Sequence, residues 1–220
     1  AMAMHDSAGV GDATALVFTE LYKLGISTIR CGVCIVDGPA KEIEVWSASQ
    51  QESKLSRGIG KLDMTAHPLW GHLLNAWKDQ KSSFVYELKG KGLTDYYHII
   101  RTASGYHAPD NKAMYNPAAG IENETQYCNC YIFKEGCLFT FTHEPFLTQT
   151  GLVLEKFAAV FGLTYRRYLD LQKAEAQVRE AQIEAALERV RSKTMAMHNS
   201  NDVGETVTLM FNELIKLGVD

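Results

Sequence analysis

Apolar residues recur at Val10, Ala13, Leu16, Val17, Leu21 and Leu24, the spacing of one helix face. Gly25 stands where a C-terminal cap belongs, and Asp6 or Ser7 suits the N-cap. Residues 29–36 are rich in β-branched and apolar side chains. Residues 43–49 alternate Ile43, Val45 and Ser47 with Glu44, Trp46 and Ala48. The two segments predict strands of a hairpin that turns at Asp37, Gly38 and Pro39. Gly58 and Gly60 predict a loop. Pro68 opens a helix that runs to about residue 81. A short strand over 84–88 is broken by Gly90 and Gly92, and 95–104 reads as a helix. A long polar loop with Pro109 and Pro117 follows. Residues 126–133 and 137–143 make a second hairpin around Lys134, Glu135 and Gly136. The pattern is α+β: an antiparallel sheet of five or six strands with helices on one face.

From residue 146 onward there is no proline, which predicts one long helix, or two joined near Gly162. Its second half is rich in Ala, Glu, Gln, Lys, Arg and Leu, all good helix formers. Leu171, Ala174, Val178, Ala181 and Ala185 step by three and four, the seam of a coiled coil. The seam then shifts toward Ala186, Val190 and Met197, a stutter that alters local winding.

The two ends of the chain repeat. With an offset of 193, residues 1–27 face 194–220 without a gap, and 14 of the 27 positions are identical, among them Met2, Ala3, Met4, His5, Leu21, Lys23, Leu24 and Gly25. Chance at average composition gives about one or two. Both copies read as a helix stopped by glycine, Gly25 in the first and Gly218 in the second. The repeat predicts tandem modules, with boundaries at 1–165 for a first domain, 166–198 for a coiled-coil helix and 199–220 for the entry helix of a second, truncated module.

Composition narrows the function classes. Of 220 residues, 46% are hydrophobic and 22% charged, the profile of a globular protein with a sizeable core. The net charge of -4 comes without any basic stripe, which argues against binding along a nucleic-acid backbone. No run approaches the roughly 20 apolar residues of a bilayer span, and no signal peptide is visible. Five cysteines are an odd number, which favours reduced thiols and a cytoplasmic compartment over a disulfide framework.

The element order, together with the segment Ala186-Leu-Glu-Arg-Val-Arg-Ser-Lys-Thr-Met-Ala-Met-His198, resembles the GAF-like sensor domains of bacterial signalling proteins of the sensor histidine kinase type. The resemblance implies an entry helix, an antiparallel sheet, crossover helices over a ligand pocket, and an exit helix continuing as a parallel coiled coil. It implies a sensory input module that binds an unknown small molecule and acts as a homodimer on a downstream output domain. A ligand-free dimerisation and relay module is the alternative. A thiol-based redox sensor or a methionine-sulfoxide-reducing enzyme ranks behind both, because the five cysteines do not match that enzyme's arrangement. No catalytic residue is expected in this chain. The residue set of cyclic-nucleotide-binding members and the Cys-His pair of bilin-attaching members are absent.

Candidate chemistry follows from the same elements. The resemblance places Trp46, Trp70, Tyr97, His98, Arg101 and Tyr127 around the ligand pocket, with Tyr97, His98 and Arg101 supplying polar groups and Arg101 suited to a carboxylate or phosphate. Cys31 and Cys34, three apart on a strand, point to opposite faces, whereas Cys128 and Cys130 share one, with Cys137 on the partner strand. Such thiols are ordinary core residues, and they also make a candidate cluster for metal or oxidation. His67 and His72 are five apart, off the spacing of a helical metal pair, and the histidines read as surface or structural groups. No metal ligand set is expected, and no cofactor is named by the pattern.

Overall fold

The computed structural model describes residues 7–51, 54–107 and 120–219. The N-cap expected at Asp6, and the loop carrying Pro109, Tyr115 and Pro117, lie outside the described residues. The chain divides into two units, Ala1–Arg166 and Arg167–Asp220.

In the first unit, helix α1 (Ser7–Lys23) ends at Gly25, whose φ of 74° lets the Ile26 N–H reach back to the Leu21 carbonyl at 3.0 Å. Strands β1 (Arg30–Asp37), β2 (Glu42–Gln51) and β3 (Lys54–Asp63) follow as a meander. Helix α2 (Pro68–Lys78), strand β4 (Ser83–Lys89) and helix α3 (Gly90–Thr102) come next. The two-residue strand β5 (Tyr106–His107), a 3-10 turn (Ile121–Asn123) and the hairpin β6 (Thr125–Phe133) and β7 (Gly136–Thr142) complete the sheet. All pairings are antiparallel, in the order β4-β6-β7-β1-β2-β3-β5. The six long strands meet the expected count, and β5 adds a short edge.

Two departures from the sequence reading have simple causes. The loop expected at Gly58 and Gly60 is strand β3. Gly60, at φ 150°, lies where β5 crosses so closely that a Cβ would come within 1.8 Å of the Gly105 carbonyl oxygen. The glycine marks a close backbone approach, not a turn. Gly90, at φ 52°, ends β4 as expected, but α3 begins there at once instead of near residue 95.

Helices were expected on one face of the sheet, and the structure places them on both. Strand β7 is buried at every position, and β1 at six of its eight. Strands buried on two sides read as continuous apolar runs instead of alternating ones. On one face, Val10, Phe18 and Leu21 of α1 and Leu154, Ala158 and Phe161 of the next helix are buried with Cys31, Val33, Trp46 and Leu138. On the other, Leu69, Trp70, Leu73 and Leu74 of α2 and Leu93, Tyr96, Tyr97 and Ile100 of α3 form one core cluster with Cys34, Val45, Cys128, Cys137, Phe139 and Phe141.

Helix α4 (Thr148–Met195) is a single element of 48 residues with no break at Gly162. There a Cβ would fall 2.8 Å from Phe133 Cβ, so glycine serves close packing against β6. In the second unit, α5 (Ser200–Lys216) turns back antiparallel to α4. Arg189 Nη2 donates to Glu213 Oε2 at 2.5 Å, Lys193 Nζ to Glu205 Oε2 at 2.6 Å, and Arg179 to the Leu217 carbonyl. Asp202 Oδ2 caps α5 by accepting from the backbone N–H groups of His198 and Asn199 at 2.7 and 3.0 Å. Gly218 repeats the geometry of Gly25, with φ 74° and the Val219 N–H on the Leu214 carbonyl at 3.0 Å. The expected seam residues Leu171, Ala174, Val178, Ala181 and Ala185 are exposed, whereas Ala186 is buried and Val190 and Met197 are half-buried.

Candidate functional site

The interior cavity lies between the β6-β7-β1-β2 part of the sheet and helices α2 and α3. It encloses about 30 Å³, room for one or two waters. Alternation along the strands decides what reaches it. Arg30 and Cys34 of β1, Val45 and Ser47 of β2, Cys128 and Cys130 of β6, and Cys137, Phe139 and Phe141 of β7 face this side. Trp70 of α2, Tyr96 of α3 and Tyr106 of β5 close it from above.

Arg30 is the charged group of this interior, 4% exposed. It donates to the Tyr96 hydroxyl, and its guanidinium carbon sits 4.0 Å from the Phe141 ring centroid and 4.9 Å from that of Tyr96. These contacts hold the guanidinium on aromatic faces, a cation–π arrangement that suits its planar, weakly hydrated group. Ser47 Oγ and Tyr106 Oη are 2.8 Å apart on the same wall. Tyr96 is fixed further by edge contacts with His67 at 5.6 Å and Tyr97 at 5.5 Å.

His67 anchors the start of α2. Its Nδ1 accepts from the Leu69 N–H at 3.1 Å, and its Nε2 lies 3.1 Å from the Gly92 carbonyl, which ties α2 to α3. This pattern needs the neutral ring with the proton on Nε2. Burial pulls the His67 pKa below its ordinary value, against the opposing pull of the Gly92 carbonyl and Asp95.

Four of the five cysteines line the cavity. Cys34 and Cys137 sulfurs are 3.2 Å apart, and those of Cys128 and Cys130 are 3.6 Å apart. Contacts with the Cys130 and Cys34 sulfurs draw the Cys137 pKa down against burial, whereas the Cys137 contact and burial push Cys34 up, and burial and the neighbouring sulfurs push Cys130 up. Cys31 faces the other side of the sheet, where burial alone raises its pKa. Among the described residues no group of three or more His, Cys, Asp or Glu is arranged to hold a metal ion.

The residues named from the sequence fall in different places. Trp70 lines the cavity. Tyr97 is buried beside it, its hydroxyl donating to Gln126 Oε1 at 2.9 Å and its ring 5.4 Å from the Arg30 guanidinium. Trp46 is buried on the α1 side, near Gly11, and Tyr127 is half-buried on that same side of β6. His98 and Arg101 are exposed on the outer side of α3. Arg30 and Ser47 were not singled out from the sequence. One signal for Arg30 was in plain view: a lone arginine precedes a run without a polar residue from Cys31 to Val36.

Compared with protein-family models, curated proteins and solved structures, the chain gives no match. Among the described residues no helix is long and apolar enough to cross a membrane.

Proposed function

We propose that this chain is a sensory input module of a signal-transduction protein, with a GAF-like domain that takes a small molecule in the cavity beneath α2 and α3. The observation that carries this reading is the buried Arg30 guanidinium, set with the Tyr96, Ser47 and Tyr106 hydroxyls around an interior space. Inside a low-dielectric interior a guanidinium and hydroxyl groups hold a small anion more firmly than they would in water. Such groups suit a carboxylate or similar small anion. As built, the cavity takes a molecule of few heavy atoms.

The output is helix α4. It packs on the sheet through Leu154, Ala158, Phe161 and Tyr165 and continues far beyond it. In the second unit its apolar positions Leu171 and Val178 stay 54% and 58% exposed, the state expected of a coiled-coil seam awaiting a second copy. A parallel homodimer through this helix would carry a shift in the sheet to an output domain.

The small volume of the cavity favours a second reading, in which the module dimerises and relays without any ligand. Native mass spectrometry of protein purified from its own host separates the two. A retained small molecule, lost in Arg30→Met, supports the sensor. Wild-type protein that carries nothing, and whose melting temperature no small carboxylate raises, sinks it.

A further inference from the structure

We propose that Cys34 and Cys137 are a redox-active pair, which a small uncharged peroxide entering the cavity closes into a disulfide. Three observations point there independently of any signalling role. First, the two residues are direct partners in the antiparallel β1-β7 ladder. The Val36 N–H donates to the Glu135 carbonyl one pair-step of two residues further along, so Cys34 and Cys137 also form a hydrogen-bonded pair. Such pairs hold their Cα atoms about 5.5 Å apart, inside the range that a disulfide spans. Second, the sulfurs already lie 3.2 Å apart, so closure needs a movement of about 1 Å. Third, both sulfurs border the interior cavity, whose 30 Å³ matches a molecule of two oxygen atoms.

Cys128 and Cys130 are poorer partners for each other. Two residues apart on one strand, their Cα atoms are about 6.6 Å apart, near the limit for a disulfide. Cys31 lies on the opposite face and serves as an internal control.

The chemistry balances with peroxide as the two-electron oxidant. The Cys137 sulfur, whose pKa its sulfur neighbours lower, attacks one peroxide oxygen. The O–O bond breaks, the departing hydroxide takes up the thiol proton as water, and Cys137 becomes a sulfenic acid. The Cys34 sulfur then attacks the Cys137 sulfur, the S–O bond breaks, and a second water leaves with the Cys34 proton. Two thiols and one peroxide give one disulfide and two waters.

The test is intact mass and non-reducing peptide mapping of the whole chain, fully reduced and then treated with one equivalent of hydrogen peroxide. The expected result is the loss of two hydrogens, a single Cys34–Cys137 crosslink, and full reversal by dithiothreitol. Cys34→Ser should stop at a sulfenic acid on Cys137 that dimedone traps, and Cys31→Ser should behave as wild type. The wild-type map needs no variant to fold. No mass change, a crosslink between other cysteines, or a Cys137→Ser chain that still forms one disulfide would each overturn the pair. Ligand retention, measured on the reduced chain, is scored separately, so failure of the sensor reading and failure of the pair are told apart.

Discussion

Gly162 is where α4 touches the sheet most closely, and replacing it with alanine tests that contact directly. At an exposed helix position the change would stabilise by about 1 kcal/mol, because glycine is the poorer helix former. Here the new Cβ would meet Phe133 Cβ at 2.8 Å, Cγ at 2.9 Å and Cδ2 at 3.0 Å. Carbon atoms settle at about 3.5–4.0 Å, so α4 or β6 must give by more than half an ångström. Phe133 cannot swing away, since its Cβ is fixed by the strand and its ring packs on Phe161 at 5.6 Å. Overpacking of this kind costs about 1–3 kcal/mol. Set against the propensity gain, Gly162→Ala should destabilise by up to about 2 kcal/mol, or up to roughly 8 °C in Tm. Gly151 is the matched control. It lies in the same helix, and its added Cβ would meet only the Tyr131 hydroxyl at an ordinary 3.7 Å. Gly151→Ala should therefore stabilise by up to about 1 kcal/mol. Urea unfolding followed by tryptophan fluorescence reads both variants, because Trp46, Trp70 and Trp77 all lie in the first unit. A Gly162→Ala chain stabilised as much as Gly151→Ala would refute the close packing of α4 on β6, and with it the proposed coupling of the sheet to this helix.

Arg30→Met should weaken retention of any bound small anion by about ten- to a hundred-fold, the worth of a hydrogen bond to a charged group, measured by titration calorimetry. His67→Ala removes the cap of α2 and should cost about 1–2 kcal/mol in urea unfolding. Because the His67 pKa is held below its ordinary value, the stability it contributes is complete above about pH 6.5 and is lost as pH falls through the folded value. His67→Gln should flatten that dependence, and an unchanged pH profile would count against the neutral-ring assignment. Glu213 is drawn below its ordinary value by Arg189 and then Lys216, so its contribution holds at neutral pH and disappears in acid, below about pH 4. Amide NMR shifts of α5 should move in that acid range for the wild type and already be displaced at neutral pH in Glu213→Gln. Leu171→Glu with Val178→Glu, both exposed, should leave stability within about 0.5 kcal/mol while turning a dimer into a monomer by sedimentation, and a wild-type chain that sediments only as a monomer would remove the dimer from the proposal.

The helices, the two hairpins and the long α4 were legible because periodicity and punctuation are local signals. Val10 to Leu24 needs no other part of the chain to declare a helix face, and Gly25 and Gly218 stop their helices by backbone geometry alone. What escaped was whatever depended on a distant partner. Gly60 read as part of a loop because the strand that crosses it, β5, comes more than forty residues later. Gly162 left one helix or two open because Phe133, which explains the glycine, lies outside any helical window. The pocket escaped for a related reason. Element order can say that α3 covers the sheet, but only the phase of each strand says which side chains it covers. Tyr96 and Tyr97 are neighbours on α3, yet Tyr96 lines the cavity while Tyr97 turns to Gln126, and His98 and Arg101 rotate out to solvent. A single residue of phase likewise sends Trp46 to the α1 side and Val45 to the cavity. The cysteines show the converse. The shared face of Cys128 and Cys130, with Cys137 on the neighbouring strand, followed from a period of two. The approach of Cys34 to Cys137 did not, because it rests on the register between β1 and β7, which are separated by most of the domain. Register is set when both faces of the central strands find their apolar neighbours, so the thiol pair is a property of the assembled sheet and not of either strand alone.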